Sequence, residues 1–159
     1  MLTVRILCVG KLKERYWSEA CAEYAKRLKA FCKFSIEEIP ESRLPEQPSL
    51  AEIDRALDGE AHQLLKRAGN SVIVALCIEG KLYSSEMLAS SMQTFAINGN
   101  SEICFVIGSS YGLSPQVKKA ARLQLSMSPM TFPHQLARVM LCEQVYRAFQ
   151  ISENGKYHK

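Results

Sequence analysis

Residues 125–147 have the sequence LSMSPMTFPHQLARVMLCEQVYR. A short apolar strand runs here through a proline-containing turn into a long helix, and Pro133 presets the backbone angle of a first helical turn. The helix is apolar on most of its sides and leaves only a thin polar strip, at Gln135, Arg138, Glu143, Gln144 and Arg147. In a chain of 159 residues, such a helix must be buried on two sides. The stretch therefore favours a dimer in which a second subunit covers one side.

The segments before this stretch alternate between apolar strands and amphipathic helices. Ser71–Ile78, SVIVALCI, is an almost unbroken apolar run, which is typical of a central strand covered on both faces. The same patterns predict further strands and helices, with strands at 2–9, 34–39, 102–107 and 125–128 and helices at about 17–31, 50–68, 85–97 and 115–122. This alternation predicts an α/β fold, a mostly parallel sheet with helices on both faces.

Length and composition limit the possible classes of protein. The 159 residues, 47% of them hydrophobic, are enough for one domain with a proper core, and we expect a single domain over 1–159. The net charge of +4 permits a polyanionic partner without requiring one.

Cysteine usage and hydropathy indicate the compartment. The six cysteines form no CxxC pair and lie mostly within apolar runs, so we expect reduced, buried thiols in a cytosolic protein. The apolar run at the N-terminus is followed by KLKER and is too short to span a bilayer, and it has no basic leader or cleavage site. We therefore expect a cytoplasmic protein without membrane attachment.

Ligands of open parallel sheets bind outside the carboxyl ends of the strands. The loops predicted there are KLKER, EG, GSSYG and SPMTFPH. In GSSYG, Gly108 and Gly112 allow the backbone to approach a ligand closely. The loop lacks the spacing of a dinucleotide fingerprint and the Gly-Lys-Ser/Thr of a P-loop, and taken alone it is more typical of a tight strand-to-helix turn.

Several candidate catalytic groups are weak on their own. His134 lies at a helix start, where it could bind an anion, but a structural histidine satisfied by its own turn is at least as common. The three histidines, His62, His134 and His158, have no ligand spacing among themselves or with the cysteines, so a metal site has little support. The serines of GSSYG lack a Gly-x-Ser-x-Gly nucleophile elbow.

The final segment, GKYHK at 155–159, concentrates polar chemistry in five residues. Most chain ends of this kind fray in solvent. The functional alternative is that Tyr157 stacks on or hydrogen-bonds a nucleobase, His158 transfers a proton and Lys159 contacts a phosphate.

Five segments together carry a resemblance to a known family, namely VGKLKERYW near the start, the turn from Phe105 to Gly112, LSMSPMTFPHQLARV, EQVYRAFQI and the terminal YHK. On these segments the chain resembles the RlmH-type pseudouridine methyltransferases of the SPOUT class over its whole length. Such enzymes methylate N3 of a pseudouridine in 23S ribosomal RNA. One departure is Ser109, where the family usually has a second glycine after Gly108.

The resemblance implies a fold, a cofactor and an assembly that periodicity does not reveal. The fold is an α/β domain with a C-terminal trefoil knot, and the enzymes are homodimers that bind S-adenosyl-L-methionine in the knot. The resemblance places eight residues around the cofactor, namely Leu76, Gly108, Met127, Ser128, Pro129, Met130, Thr131 and Phe132. These lie in the loops that the strand-end rule had already selected.

The resemblance also suggests a catalytic group. We expect His158 and Tyr157 to reach the target base from the tail of one subunit while the other subunit holds the cofactor. Arg138 and Arg147, on the polar strip, would orient the base or its phosphate. The small charge further predicts that the dimer acts on the assembled ribosome rather than on naked RNA.

Two other classes explain parts of the sequence. A flavodoxin-like nucleotide-binding domain accounts for the alternation and for GSSYG but leaves PMTFPHQ and YHK without a role. A non-catalytic ribosome-binding factor accounts for the basic turn and the tail. Binding of S-adenosyl-L-methionine distinguishes the methyltransferase from both.

Overall fold

A five-stranded sheet forms the centre of the molecule, and all of its strands run parallel. The computed structural model describes all residues from 1 to 159. The strands lie in the order β2-β1-β4-β3-β5, with bounds β1 Thr3–Val9, β2 Lys33–Ile39, β3 Val72–Leu82, β4 Glu102–Ile107 and β5 Leu123–Ser126. The parallel sheet confirms the predicted α/β class.

Five helices cover the two faces of this sheet. Their bounds are α1 Arg15–Leu28, α2 Leu50–Ala68, α3 Ser85–Ile97, α4 Pro115–Ala120 and α5 His134–Ser152. Helices α1, α3 and α5 bury one core with residues such as Phe105 and Leu141. Helices α2 and α4 bury a second core on the opposite face, around Val106 and Leu64. The prediction of helices on both faces is therefore confirmed.

Local signals set several of the helix ends. Ser49 caps α2 in a capping box with Glu52, because each side chain accepts a hydrogen bond from the other's backbone N–H. Ser84 caps α3 by accepting from the Met87 N–H at 3.1 Å. Pro133 precedes α5 as its N-cap, so the helix begins at His134.

The edge strand β5 differs from its predicted position. We predicted a strand at 125–128, but β5 spans Leu123–Ser126, and Met127 and Ser128 belong to the following loop. Its position is set by its partner, since Leu125 pairs with Leu76 and again with Lys81 of β3. The residues between these two positions bulge out of the ladder.

Close backbone packing supports this bulge. A side chain on Gly80 would place its Cβ 2.6 Å from the Gln124 carbonyl oxygen, so only glycine fits there. The bulge carries Cys77, Ile78 and Glu79 over the carboxyl end of the sheet. It thereby adds a wall to the space beside β5.

The cysteines, the hydropathy of the helices and the knot were also predicted from the sequence. Five of the six cysteines are buried as predicted, and Cys77 is half-buried. Burial raises the pKa of the Cys8, Cys32 and Cys104 thiols to about 12, which keeps them protonated. No helix is both long and apolar enough to cross a bilayer. The trefoil knot stays a prediction.

Candidate active site

A cavity of about 640 Å³ opens at the carboxyl end of the sheet, between the bulge of β3 and the loops that follow β4 and β5. We call it the loop cavity. Seven of the eight predicted cofactor residues line it, namely Leu76, Gly108, Met127, Ser128, Met130, Thr131 and Phe132. Pro129 lies in the same loop but is not among the lining residues. Three segments that are distant in sequence thus meet around one space.

The GSSYG turn gives the loop cavity a wall of closely packed backbone. A Cβ on Gly108 would overlap the Gly112 carbonyl oxygen, and Gly112 itself has a φ of +85°. The turn closes through a hydrogen bond from the Gly112 N–H to the Ser109 carbonyl at 2.9 Å. The Ser109 hydroxyl accepts a 3.3 Å hydrogen bond from the Tyr111 N–H, so its side chain belongs to the turn.

Sequence reasoning missed the charged pair at this cavity. Lys118 on α4 forms an ion pair with Glu79 of the β3 bulge, and both residues line the loop cavity. The hydrogen bond from Lys118 lowers the pKa of the Glu79 carboxyl. The EG segment had been selected by the strand-end rule, but nothing in the sequence connects it with a lysine 39 residues away.

The tail forms a second polar cluster, whose residues do not line the loop cavity of their own chain. Arg147 binds the Glu143 carboxylate through two nitrogens, at 2.9 and 2.5 Å, and lies 4.7 Å above the Tyr157 ring. The Tyr157 hydroxyl donates to Glu143 at 3.0 Å. Burial and the hydrogen bond to Glu143 raise the pKa of Tyr157 to about 12, so the phenol stays protonated.

His158 completes this cluster through both of its ring nitrogens. Nδ1 lies 3.1 Å from Nη1 of Arg147, and Nε2 lies 2.7 Å from Oε1 of Glu86 on α3. The structure therefore brings together three of the four predicted catalytic residues, Arg147, Tyr157 and His158. It adds two glutamates that sequence reasoning had not selected, Glu86 and Glu143.

Arg138 is the exception among the predicted catalytic residues. It belongs to the predicted polar strip of α5, but its side chain is buried and only 2% exposed. Its guanidinium donates to the Glu38 carboxylate at 2.6 Å and to the Gly10 carbonyl at 3.1 Å. The physical reason is that this face of α5 covers the ends of β1 and β2, where both acceptors need a donor.

We expect Arg138→Met to lower the free energy of unfolding by about 3 kcal/mol, because Glu38 and Gly10 lose a buried charged donor. Urea denaturation at fixed protein concentration measures the change. Arg15→Met is the matched control, because Arg15 pairs with Glu19 while 91% exposed, and it should change stability by less than about 1 kcal/mol. Equal effects of the two substitutions would contradict a structural role for Arg138.

A second cavity of about 450 Å³ lies between α1, α3 and α5. We call it the helix cavity. It shares Leu125 and Met127 with the loop cavity and is further lined by Val139, Met140 and Glu143. Val139 and Met140 are only half-buried, so α5 keeps an apolar surface that the single chain does not cover.

The fold and these loops define a class of protein. Residues 2–158 match the family model described as "Predicted SPOUT methyltransferase", and the chain belongs to this family. More particularly, it is 48% identical to "Ribosomal RNA large subunit methyltransferase H" of Levilactobacillus brevis, with 99% of this chain and 100% of that protein covered. The protein of the same name from Exiguobacterium sibiricum is 45% identical over the same shares.

Solved structures agree on the fold. A probable methyltransferase from Bordetella pertussis superposes with a TM-score of 0.56 at 15% identity, covering 92% of this chain and 93% of that chain. A putative methylase family protein from Neisseria gonorrhoeae gives a TM-score of 0.53 at 14% identity, with 90% and 81% covered. At these identities the likeness concerns the arrangement of strands and helices.

Proposed function

We propose that this protein transfers a methyl group from S-adenosyl-L-methionine to N3 of a pseudouridine in 23S ribosomal RNA. The observation that carries the proposal is the meeting of the segments around Leu76, Gly108 and Met127–Phe132 in one cavity. Membership of the methyltransferase family supports the reaction type. Full-length relatives named as large-subunit ribosomal RNA methyltransferases support the class of substrate. The activity would belong to one domain over 1–159.

The residues of the loop cavity fit the proposed cofactor. A volume of about 640 Å³ falls within the range of small-molecule sites, roughly 300–1,000 Å³. Apolar side chains such as Leu76 and Phe132 can enclose a nucleoside, while Ser128, Thr131 and the backbone of the GSSYG turn offer polar groups. The lack of room for a side chain at Gly108 keeps the GSSYG turn tightly packed where it lines the cavity. Pro129 would act by shaping its loop.

The chemistry requires alignment and removal of one proton. The bound cofactor supplies an electrophilic methyl group on a sulfonium, which is already activated. The N3–H of a uracil ring is a poor nucleophile until its proton leaves, so a positioned base should accelerate the reaction. In this proposal His158 takes the proton, Tyr157 contacts the base, and Arg147 binds the base or its phosphate. We assign Arg138, which is engaged by Glu38, to the support of α5.

The proposed enzyme is a homodimer with a composite site. Tyr157 and His158 do not line the loop cavity of their own chain, so a neighbouring subunit can bring its tail to that cavity. The half-buried apolar side chains of α5, Leu136, Val139 and Met140, provide a surface for such a subunit. A two-fold dimer would bury this surface and place two sites on the assembly.

The proposed substrate is the assembled ribosome in the cytoplasm. A net charge of +4 is small for holding naked RNA, whose binding depends on many neutralised phosphates. Docking on a folded particle adds recognition by shape.

Two measurements test the proposal. Calorimetry should detect binding of S-adenosyl-L-methionine, which neither a flavodoxin-like domain nor a non-catalytic ribosome-binding factor should show. Transfer of a labelled methyl group should then be at least about tenfold faster on large-subunit-containing ribosomes than on an isolated RNA hairpin. Absence of cofactor binding would refute the enzyme, and efficient methylation of the hairpin would refute the ribosome as substrate.

A further inference from the structure

The end of α5 folds the tail back onto the helix. Asn154 adopts a left-handed conformation with a φ of 54°, and the Gly155 N–H donates to the Gln150 carbonyl at 2.7 Å. Tyr157 then packs edge-on against Tyr146, with ring centroids 4.8 Å apart. The turn therefore gives His158 a defined position between α5 and the first turn of α3.

The contacts of His158 define which ring nitrogen carries the proton. A guanidinium can only donate hydrogen bonds, so Nδ1 must accept from Arg147 in the 3.1 Å contact. Nε2 therefore bears the proton and donates it to Oε1 of Glu86, at 2.7 Å. The hydrogen bond from His158 also lowers the pKa of the Glu86 carboxyl, which keeps this acceptor ionised.

Arg147 occupies Nδ1 of His158, the ring nitrogen that could accept a proton. A substrate can break this contact. Nε and Nη2 of Arg147 are bound to Glu143, and Nη1 alone contacts His158. A phosphate oxygen of a nucleotide carries negative charge and is a stronger acceptor for a guanidinium than a neutral imidazole nitrogen. An arriving phosphate can therefore draw the guanidinium of Arg147 away from His158 and leave Nδ1 free.

We propose that Glu86 is a positioning residue for His158 in the methyl transfer. Glu86 holds Nε2–H so that Nδ1 faces the substrate once Arg147 has turned to the nucleotide. Nδ1 then takes the N3 proton, and the nitrogen electron pair forms the N–CH₃ bond as the S–CH₃ bond breaks. The electrons of that bond remain on sulfur as a neutral thioether, and the proton remains on His158 as an imidazolium. The negative charge of Glu86 stabilises this imidazolium, as a carboxylate does in other carboxylate–histidine pairs.

This inference rests on the proposed function and is tested with Glu86→Gln in the full-length protein. The amide keeps an acceptor oxygen but loses the charge, so kcat should fall about tenfold while the KM for S-adenosyl-L-methionine is unchanged. The expected loss is moderate because the Glu86 side chain is 61% exposed and solvent screens its charge. Glu46→Gln, an exposed loop glutamate, is the control and should keep wild-type kcat.

A double-mutant cycle identifies the route of the effect. If Glu86 acts through His158, Glu86→Gln should change the rate less than twofold in a His158→Asn background. The NMR signal of the His158 ring, one of only three histidines, gives a readout without turnover. It should shift in Glu86→Gln and stay in place in Glu46→Gln.

The outcomes separate the two proposals. A wild-type protein that binds no cofactor and transfers no methyl group refutes the proposed function. If the wild type is active, any one of three results overturns the role of Glu86. These are a normal rate in Glu86→Gln, an unmoved His158 signal in that variant, and a full tenfold loss when Glu86→Gln is added to His158→Asn. Loss of rate with a shifted signal and no further loss in the double variant supports it.

Discussion

Removal of Gly155–Lys159 is expected to lower methyl transfer to ribosomes by at least about 100-fold, the lower end of what a positioned acid or base contributes. The loss follows because Tyr157 and His158 leave together and Arg147 loses the ring below it. Binding of S-adenosyl-L-methionine should change less than about twofold, because the tail lines no part of the loop cavity in its own chain and is assigned to the target base rather than to the cofactor. Single-turnover transfer of a labelled methyl group and calorimetry measure the two quantities.

Two variants distinguish the loss of the catalytic side chain from the loss of the tail segment itself. His158→Asn keeps the full tail and should reproduce most of the decrease in rate. Lys156→Ser removes an exposed cation of the same segment and should stay within about twofold of wild type. Transfer at the normal rate by the truncated protein, with cofactor binding intact, would exclude the tail from the reaction.

The elements with local signals were predictable from sequence. The predicted ranges for α3 and β4, 85–97 and 102–107, agree with the observed bounds. Ser84 caps the start of α3, and Gly99 follows the end of α3 with a φ of +90°. Both ends of the helix are therefore fixed by neighbouring residues. The position of β5 was not predictable in this way, because its register depends on pairing with a bulged strand more than 40 residues away.

In the candidate site, too, some features were predictable from the sequence and others depended on distant contacts. The loops of the cavity were predictable because parallel strands place their carboxyl ends on one edge, which selected the segments at Gly108 and Met127. The burial of Arg138 was not predictable, because it depends on Glu38, 100 residues away. The Glu86–His158 contact joins residues 72 apart and has no periodic pattern in the sequence. Resemblance contributed the cofactor and favoured the functional interpretation of the tail, which composition had left as one of two alternatives.

The close packing of the GSSYG turn makes the protein sensitive to substitution of Gly108. Gly108→Ala should abolish measurable binding of S-adenosyl-L-methionine and lower the free energy of unfolding by about 3 kcal/mol, the upper end for overpacking. The new Cβ would overlap the Gly112 carbonyl oxygen and lie 3.0 Å from Cδ2 of Leu113. Because the first of these atoms belongs to the backbone, relief requires a change in the shape of the turn that lines the cavity.

A glycine in a helix provides the matched control. Gly59 lies inside α2, where a new Cβ would have its nearest neighbour at 4.0 Å, so Gly59→Ala meets no obstacle. It should raise stability by about 0.5–1 kcal/mol through its higher helix propensity and leave cofactor binding unchanged. Calorimetric titration and urea denaturation of both variants check the pair. Wild-type affinity in Gly108→Ala would show that the turn does not form the cofactor wall, and the proposed site would then have to be rejected.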